Sequence, residues 1–186
     1  MKRGVLCFAL CVFLWGCESA DSQLQRPMVL RQQMLMANAC TFDATITADY
    51  GDVIHIFGVN CTTNGEGDLI FEVTDPETVA GISGHIKGND AALTFDDHVL
   101  AFPTLADGQV TPVTAPWLLV KTLRSGYISG CGQDGELLRV SIDDSYEENP
   151  ISLDIWLDQN DKPIRGEILY KGKRILTLEV KDFTIV

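Results

Sequence analysis

The residues of this sequence that could take part in chemistry are its cysteines, its histidines, several acidic pairs and one glycine-rich turn. The stretch GCGQDG (130–135) has the spacing of a phosphate-binding loop. Such a loop follows a strand and opens a helix, whose amides hold the phosphate, but ELLRVSIDD (136–144) alternates as a strand. We therefore interpret residues 130–135 as a glycine-rich hairpin turn.

The histidines and acidic pairs do not form a recognisable catalytic or metal-binding pattern. His55, His85 and His98 are far apart and have no cysteine or carboxylate at ligand spacing. The acidic pairs fall at predicted turns, where exposure to solvent explains them: Asp96–Asp97, Asp143–Asp144 and Glu147–Glu148. The sequence thus predicts no catalytic residue, no metal site and no cofactor, and we expect a protein that is not an enzyme.

Cys17 ends a segment typical of protein export. The segment has a positive start and an apolar run (5–15) that is too short to span a bilayer as a helix. Leu14 and Gly16 before the cysteine resemble the lipobox of bacterial lipoproteins. This resemblance implies that residues 1–16 are a signal peptide and that Cys17 becomes a lipidated, palmitate-labelled N-terminus. An ordinary signal peptide cut nearby is the alternative.

The composition indicates one folded domain, and the resemblance to a lipobox implies that this domain lies on the outer side of a cell membrane. The chain has 186 residues, of which 46% are hydrophobic and 22% charged. Residues 17–23 are predicted to be a short lipidated tether, followed by a single domain over 24–186. From Cys17 onward there are 12 basic and 26 acidic residues, a net charge of −14. That charge argues against nucleic acid as a partner and against electrostatic docking on anionic headgroups.

The cysteines of the exported domain are Cys40, Cys61 and Cys131. Residues 40–49 alternate between apolar and polar, as expected of a strand. If Tyr50–Gly51 is a two-residue hairpin turn, Cys40 lies opposite Cys61 in a non-hydrogen-bonded pair, at a separation that a disulfide can bridge. We predict this disulfide and an unpaired Cys131. Two buried free thiols are the alternative.

The periodicity predicts an α+β fold. Helices are expected over 24–37 and 114–126, with one further helical turn at 75–81. The first helix carries apolar residues at 24, 28 and 35 and at 30, 34 and 37. Strands with short connections are expected after the first hairpin at 68–73, 80–88, 91–97, 98–103, 127–131, 136–144, 151–158, 163–172 and 173–186. This order predicts a curved antiparallel sheet covered by two or three helices.

Some apolar residues are not required by a sheet with one face in solvent. The strand 53–59 is apolar on both faces, and Trp156 lies on an otherwise polar face of its strand. A plain core explains these residues, and so does an apolar ligand cavity between the sheet and the helices. The candidate residues lining such a cavity are Met28, Met34, Phe57, Trp117, Val120, Leu123 and Trp156.

The lipobox and the order of elements over 24–186 resemble the LolA-like lipoproteins, the group that includes LolA, LolB, LppX, LprG and the sensor domain of RseB. The resemblance implies a half-open β-barrel closed by helices, with an interior that holds acyl chains. It also implies that residues 104–113 and the helix 115–124 lie over the mouth. The expected function is binding or transfer of a lipid by a protein with a lipid-anchored N-terminus. A surface-anchored sensor or protein-interaction domain, with an unidentified protein partner, is the alternative.

Overall fold

The computed structural model describes residues 19–49, 51–88, 90–95, 98–103, 105–106 and 109–186. Two α-helices, α1 (Ser19–Met36) and α2 (Ala115–Ser125), accompany one large sheet and a small hairpin. The strands of the sheet are β1 (Ala39–Asp49), β2 (Ile54–Asn64), β3 (Leu69–Asp75), β4 (Ser83–Lys87), β5 (Asp90–Phe95), β6 (His98–Pro103), β9 (Tyr127–Asp134), β10 (Leu137–Asp143), β11 (Ile151–Leu157), β12 (Pro163–Tyr170) and β13 (Lys173–Ile185). The hairpin consists of β7 (Leu105–Ala106) and β8 (Gln109–Val110), and a 3₁₀ turn (Pro112–Thr114) leads into α2.

The large sheet is antiparallel and consists of two meanders joined at its centre. Its order is β6-β5-β4-β3-β2-β1-β13-β12-β11-β10-β9. The central pair joins the first strand to the last, from Cys40 opposite Ile185 to Ala48 opposite Leu176. Since β6 and β9 are the two ends of this order, the sheet is open, and the predicted α+β class with a half-open sheet is confirmed.

The core lies between one face of the sheet and α2. Eight of the eleven residues of α2 are buried, which is far more than the single apolar stripe of a surface helix requires. The strands contribute alternate residues, as in β1, where Phe42, Ile46 and Ala48 are buried and Asp43 and Asp49 are exposed. No helix in the described part of the chain is long and apolar enough to cross a membrane.

The first hairpin has a different register from the one predicted. Asp49 pairs with Ile54, so the connection contains four residues instead of two, and Cys40 lies opposite Thr63 while Cys61 lies opposite Phe42. Gly51 has a φ of +87°, and its N–H donates to Asp49 Oδ1 at 2.8 Å, which stabilises the longer turn. Tyr50 lies outside the described residues. The predicted register was therefore wrong by two residues.

The cysteines of the described chain are free thiols, so the structure does not contain the predicted disulfide. A shift of two residues keeps both cysteines on the inner face, because side chains alternate with a period of two. Cys40 and Cys61 are both buried. Burial raises the pKa of Cys40 to about 12 and raises the pKa of Cys61 as well.

The predicted helices are present, with one exception. Residues 76–81 form a turn and not a helical turn, with the Val79 N–H donating to the Pro76 carbonyl at 3.0 Å. Helix α1 begins five residues earlier than expected, at Ser19. Thr114 precedes α2 as predicted, but its hydroxyl donates to the Thr111 carbonyl and does not cap the helix.

We expect Gly84→Ala to lower the free energy of unfolding by about 1–3 kcal/mol. Gly84 pairs with Phe71 across β3 and β4, and a Cβ at this position would overlap the buried Phe71 ring. The matched control is Gly130→Ala in β9, where the nearest atom to an added Cβ is Ser141 Cβ at 3.6 Å. Urea unfolding should show the control to be as stable as the unmodified chain, or more stable by up to about 1 kcal/mol. Equal stability of both variants would contradict the packing described for Phe71.

We also expect stability to fall as the pH rises above about 9. A thiol whose pKa is raised by folding stabilises the native state below the unfolded pKa, and this contribution is lost as the unfolded chain ionises. For Cys40 and Cys61 the loss is up to about 1.4 kcal/mol per pH unit for each thiol. Urea unfolding between pH 8 and 11 measures it, and the Cys40→Ala, Cys61→Ala double variant should lose stability less steeply. If the slopes are equal, or if only Cys131 of the denatured chain reacts with a thiol reagent before reduction, Cys40 and Cys61 are not free, buried thiols.

Candidate functional site

The candidate site is a groove of about 590 Å³ beside α2. It is bounded by the end of α1, by one side of α2, by the β2–β3 turn and by the β4–β5 turn. The volume lies within the range of small-molecule sites in proteins. The lining residues are Leu35, Glu66, Gly67, Asp68, Lys87, Gly88, Trp117, Lys121, Arg124 and Ser125.

The apolar part of the groove is formed by Leu35 and Trp117. Trp117 lies in the first turn of α2 and is almost completely buried, so it presents only a small part of its indole to the groove. Leu35 lies near the end of α1, and 53% of its surface is exposed. Lys121 follows Trp117 by one helical turn, with its ammonium 5.1 Å from the centroid of the indole ring. The same ammonium is 3.6 Å from the carboxylate of Asp144.

Arg124 holds the two sides of the groove together. Its Nη1 donates to the carbonyl of Met34 at 2.6 Å, and its Nη2 donates to the carbonyl of Gly65 at 2.6 Å. One side chain of α2 therefore connects the C-terminal end of α1 to the β2–β3 turn. A cation at this end of α1 also interacts favourably with the helix dipole. The bound guanidinium fixes the width of the groove at this end.

Arg31 makes the reciprocal connection from α1 to the end of α2. Its Nε donates to the carbonyl of Leu123 at 2.7 Å, and its Nη2 donates to the carbonyls of Gly126 at 2.7 Å and Thr122 at 3.2 Å. Burial lowers the pKa of Arg31 from its ordinary value. Each helix thus supplies an arginine that donates to the C-terminal end of the other: Arg31 to several carbonyls at the end of α2, and Arg124 to one carbonyl of α1.

The charges around the groove are of both signs. The lining contains three basic residues and two acidic ones, namely Lys87, Lys121, Arg124, Glu66 and Asp68. The protein as a whole is strongly acidic. The lining thus combines the apolar Leu35 and Trp117 with three cations and two carboxylates. These residues offer binding contacts, and no nucleophile with an adjacent base is among them.

The structure separates most of the predicted cavity residues. Of the seven, Trp117 lines the groove. Met34, Val120 and Leu123 belong to the closed core, with exposures of 2% or less. Met28 is on the outward face of α1, where 48% of its surface is exposed.

Phe57 and Trp156 are also outside the groove. Phe57 is partly buried and packs against the core from β2. Trp156 is on the opposite face of β11 from the core residues Ile155 and Leu157.

Trp156 is buried by charged neighbours and not by apolar ones. Its indole N–H donates to Asp134 Oδ2 at 2.7 Å, and the guanidinium carbons of Arg165 and Arg139 lie 4.5 Å and 5.5 Å from its ring centroid. Arg139 also pairs with Asp154 at 2.5 Å, and the hydrogen bond and charge of Asp154 raise the pKa of Arg139. Cation–π stacking therefore explains an apolar ring on this polar face without a cavity.

The GCGQDG segment is a hairpin, as its interpretation from sequence predicted. Asp134 pairs with Leu137 across a two-residue turn, and Gly135 has a φ of +63°. The strand β10 follows it, so it lacks the helix start that a phosphate-binding loop needs.

Sequence reasoning missed most residues of the groove. Lys87 and Gly88 were predicted to belong to the strand 80–88, and Asp68 to the strand 68–73. Leu35 was predicted to lie on an apolar face of the helix 24–37, and Lys121 and Arg124 to lie in the helix 114–126. Their positions in the helix pattern were visible in the sequence, but their proximity to two distant turns was not.

Comparisons with known proteins rest on structure. No family model matches the chain, and no curated protein sequence matches it. A DUF1329 family protein from Desulfovibrio piger is 8% identical to this chain, covers 89% of it and 92% of its own chain, and has a TM-score of 0.50. A LolA superfamily protein from Nitrosomonas europaea is 9% identical over 90% of this chain and 93% of its own, with a TM-score of 0.46. The lipoprotein LppX from Mycobacterium tuberculosis is 10% identical over 87% of this chain and 93% of its own, with a TM-score of 0.43.

The structural neighbours thus include the LolA-like lipoproteins indicated by the order of elements, and that resemblance is confirmed. At identities this low, it concerns the fold alone.

We expect Arg31→Leu to lower the free energy of unfolding by about 1–3 kcal/mol, because it removes the arginine donor from the carbonyls of Leu123 and Gly126. Urea unfolding at neutral pH measures the change. The control is Arg174→Leu, which removes an exposed ion pair with Glu167 and should cost at most about 1 kcal/mol. Equal costs for the two variants would mean that Arg31 does not hold the helices together.

Proposed function

We propose that this protein is a membrane-anchored, extracytoplasmic lipoprotein whose groove binds or transfers an anionic amphiphile, such as a lipid or another acyl-chain ligand. The observation that carries the proposal is the combination of Leu35 and Trp117 with Lys87, Lys121 and Arg124 in one groove. An acyl chain would lie against the apolar pair, and its acidic head would lie beside the cations. Cys17, the predicted anchor, lies outside the described residues.

The packing of the domain limits how such a ligand would bind. Val120 and Leu123 belong to the buried core, with exposures of 2% or less. Inserting an acyl chain among packed core side chains strains a fold. The ligand is therefore proposed to bind at the surface of the helix pair, in the open groove, and not in the core beneath α2.

A protein-interaction or sensor function is the second candidate, and a different observation favours it. The first residues of β2 extend beyond the end of β3, because the last pair between the two strands is Gly58 with Asp75. In this extension Ile54 and Ile56 are 58% and 55% exposed, and Val53, just before β2, is 51% exposed. Exposed apolar residues at a strand edge are typical of partner-binding surfaces.

The groove proposal is tested by a substitution on its rim. We expect Leu35→Asp, in a chain lacking residues 1–17, to weaken saturable binding of a fluorescent fatty acid at least tenfold, or by about 1.4 kcal/mol. The added carboxylate would repel the anionic head and place a charge against the acyl chain. Titration followed by fluorescence measures the affinity, and native mass spectrometry of the membrane-extracted protein identifies any bound lipid.

The neighbouring residue gives a matched control. Met36→Asp adds the same charge to the same helix, at a residue that is 77% exposed and does not line the groove. It should leave the affinity within about twofold, a small fraction of the effect at Leu35. If both variants lose affinity equally, or if the unmodified chain binds no fatty acid, the groove is not the ligand site and the interaction function becomes the better proposal.

A further inference from the structure

The outward face of α1 over residues 23–36 is unusual because it carries no charge. Within residues 23–36, every side chain that is exposed is apolar or an uncharged amide. Among the apolar ones, Leu24, Met28 and Val29 are 41%, 48% and 40% exposed. The full set, called here the neutral face, is Leu24, Gln25, Met28, Val29, Gln32, Gln33, Leu35 and Met36.

The two arginines of this part of α1 are both drawn away from the neutral face. Arg26 pairs with Asp161 at 2.5 Å and donates to the carbonyl of Asp158 at 2.7 Å. Arg31 donates to the end of α2. In a chain with a net charge of −14 after the predicted signal peptide, a helix face without charge contrasts with the rest of the surface.

Packing within the domain does not explain the neutral face. The inner side of α1 already supplies Pro27, Leu30 and Met34 to the buried part of the molecule. The apolar residues at 24, 28 and 35 form a second set on the same helix, and this set is exposed. A helix that is apolar on two sides is expected where both sides meet an apolar environment.

The position of the chain before α1 indicates what covers this face. Cys17 is separated from Ser19, the first residue of α1, by Glu18 alone. Two residues span at most about 7 Å, so acyl chains on Cys17 would place the start of α1 at the membrane surface. From Leu24 to Met36 the helix rises by about 18 Å, and exposed apolar residues occur along that whole length.

We infer that α1 lies on the bilayer surface with its neutral face toward the lipid, so that the domain is held in one orientation beside its anchor. The inference rests on the anchoring at Cys17 that belongs to the proposed function. Apolar side chains of an interfacial helix enter the boundary between headgroups and acyl chains. Glutamines suit the headgroup layer, and residues 23–36 contain no acidic side chain that anionic lipid would repel.

This orientation gives the groove a defined place. Leu35 belongs both to the neutral face and to the lining of the groove. One rim of the groove would therefore border the lipid surface, and an acyl chain could pass between membrane and groove without crossing water.

The test measures contact between α1 and acyl chains in the lipidated protein. The chain is expressed with residues 1–16, purified after processing and reconstituted in phosphatidylcholine vesicles whose acyl chains carry bromine, which quenches nearby tryptophan. We expect the added emission of Met28→Trp to fall at least twofold relative to vesicles without bromine. Gln32→Trp is a second reporter on the same face. The emission of Trp117 and Trp156 is subtracted by using the unmodified protein.

The control is Ile70→Trp on β3. Ile70 is 59% exposed and lies on the face of the sheet that points away from the core. Its added emission should be unaffected by bromine. Equal quenching of all three reporters, or quenching of none, would overturn the inference, since either result means that α1 is not the face held on lipid. Circular dichroism melting shows which reporters are folded, and two reporters on α1 keep the result decisive if one is not.

Palmitate labelling separates this inference from the proposed function. If Cys17→Ser labels as well as the unmodified chain, the anchor is elsewhere and the inference fails with the anchoring. If labelling is lost in Cys17→Ser while Met28→Trp and Gln32→Trp remain unquenched in the labelled protein, the orientation alone is wrong. Fatty-acid binding to the chain lacking residues 1–17 is independent of both results.

Discussion

The structure depends on a reciprocal interaction in which each helix caps the other with an arginine. The last carbonyls of a helix have no partner within the helix, and placing them beside another element costs free energy unless donors are supplied. Arg31 supplies them to α2, and Arg124 supplies one to α1. The planar guanidinium offers several donors in a fixed fork, so each arginine can bond more than one carbonyl. The crossing of the helices, and with it the groove between them, follows from these bonds.

The sheet provides a curved surface on which this pair of helices rests. In the chain α2 lies between β8 and β9. It packs against the inner face of the sheet and is largely buried there. Arg124 then extends the connection to Gly65 in the β2–β3 turn. Two turns, two helix ends and one indole ring thus meet at one place, although they come from distant parts of the sequence.

Local pattern was sufficient to predict most elements of the fold. Alternation in β1, β10 and β11 identified the strands and their inner faces, and a helix start and stop around an apolar body identified α2. The register of the first hairpin could not be predicted in the same way. Side chains alternate with a period of two, so two registers that differ by two residues place the same apolar residues on the inner face. The two additional residues are in the turn, where the Gly51 N–H donates a hydrogen bond to Asp49 Oδ1. The alternation of the strands does not predict this bond.

The residues of the candidate site were harder to predict, for two physical reasons. An apolar residue in a helix can face the core or the solvent. The two apolar sets of α1, one with Met28 and one with Met34, both have helical spacing, so periodicity did not show that only Met34 is buried. Trp156 was equally ambiguous, because cations and a carboxylate can bury an indole as well as apolar side chains can. The groove itself forms only through tertiary structure, since Lys87 and Lys121 line the same groove although they are distant in the sequence.

The pairing of β1 with β13 has a consequence for the order of events during folding. The central pair joins Cys40 to Ile185, which are 145 positions apart in the chain, so the middle of the sheet cannot be completed until nearly all of the chain is available. Contacts of such high sequence separation require loop closure before they contribute free energy, and they slow folding. A chain that is synthesised from its N-terminus therefore presents β1 without its partner β13 while the rest of the chain is still being made. The centre of the sheet thus forms only once the C-terminal strand is available, and until then one edge of β1 is open to wrong pairing.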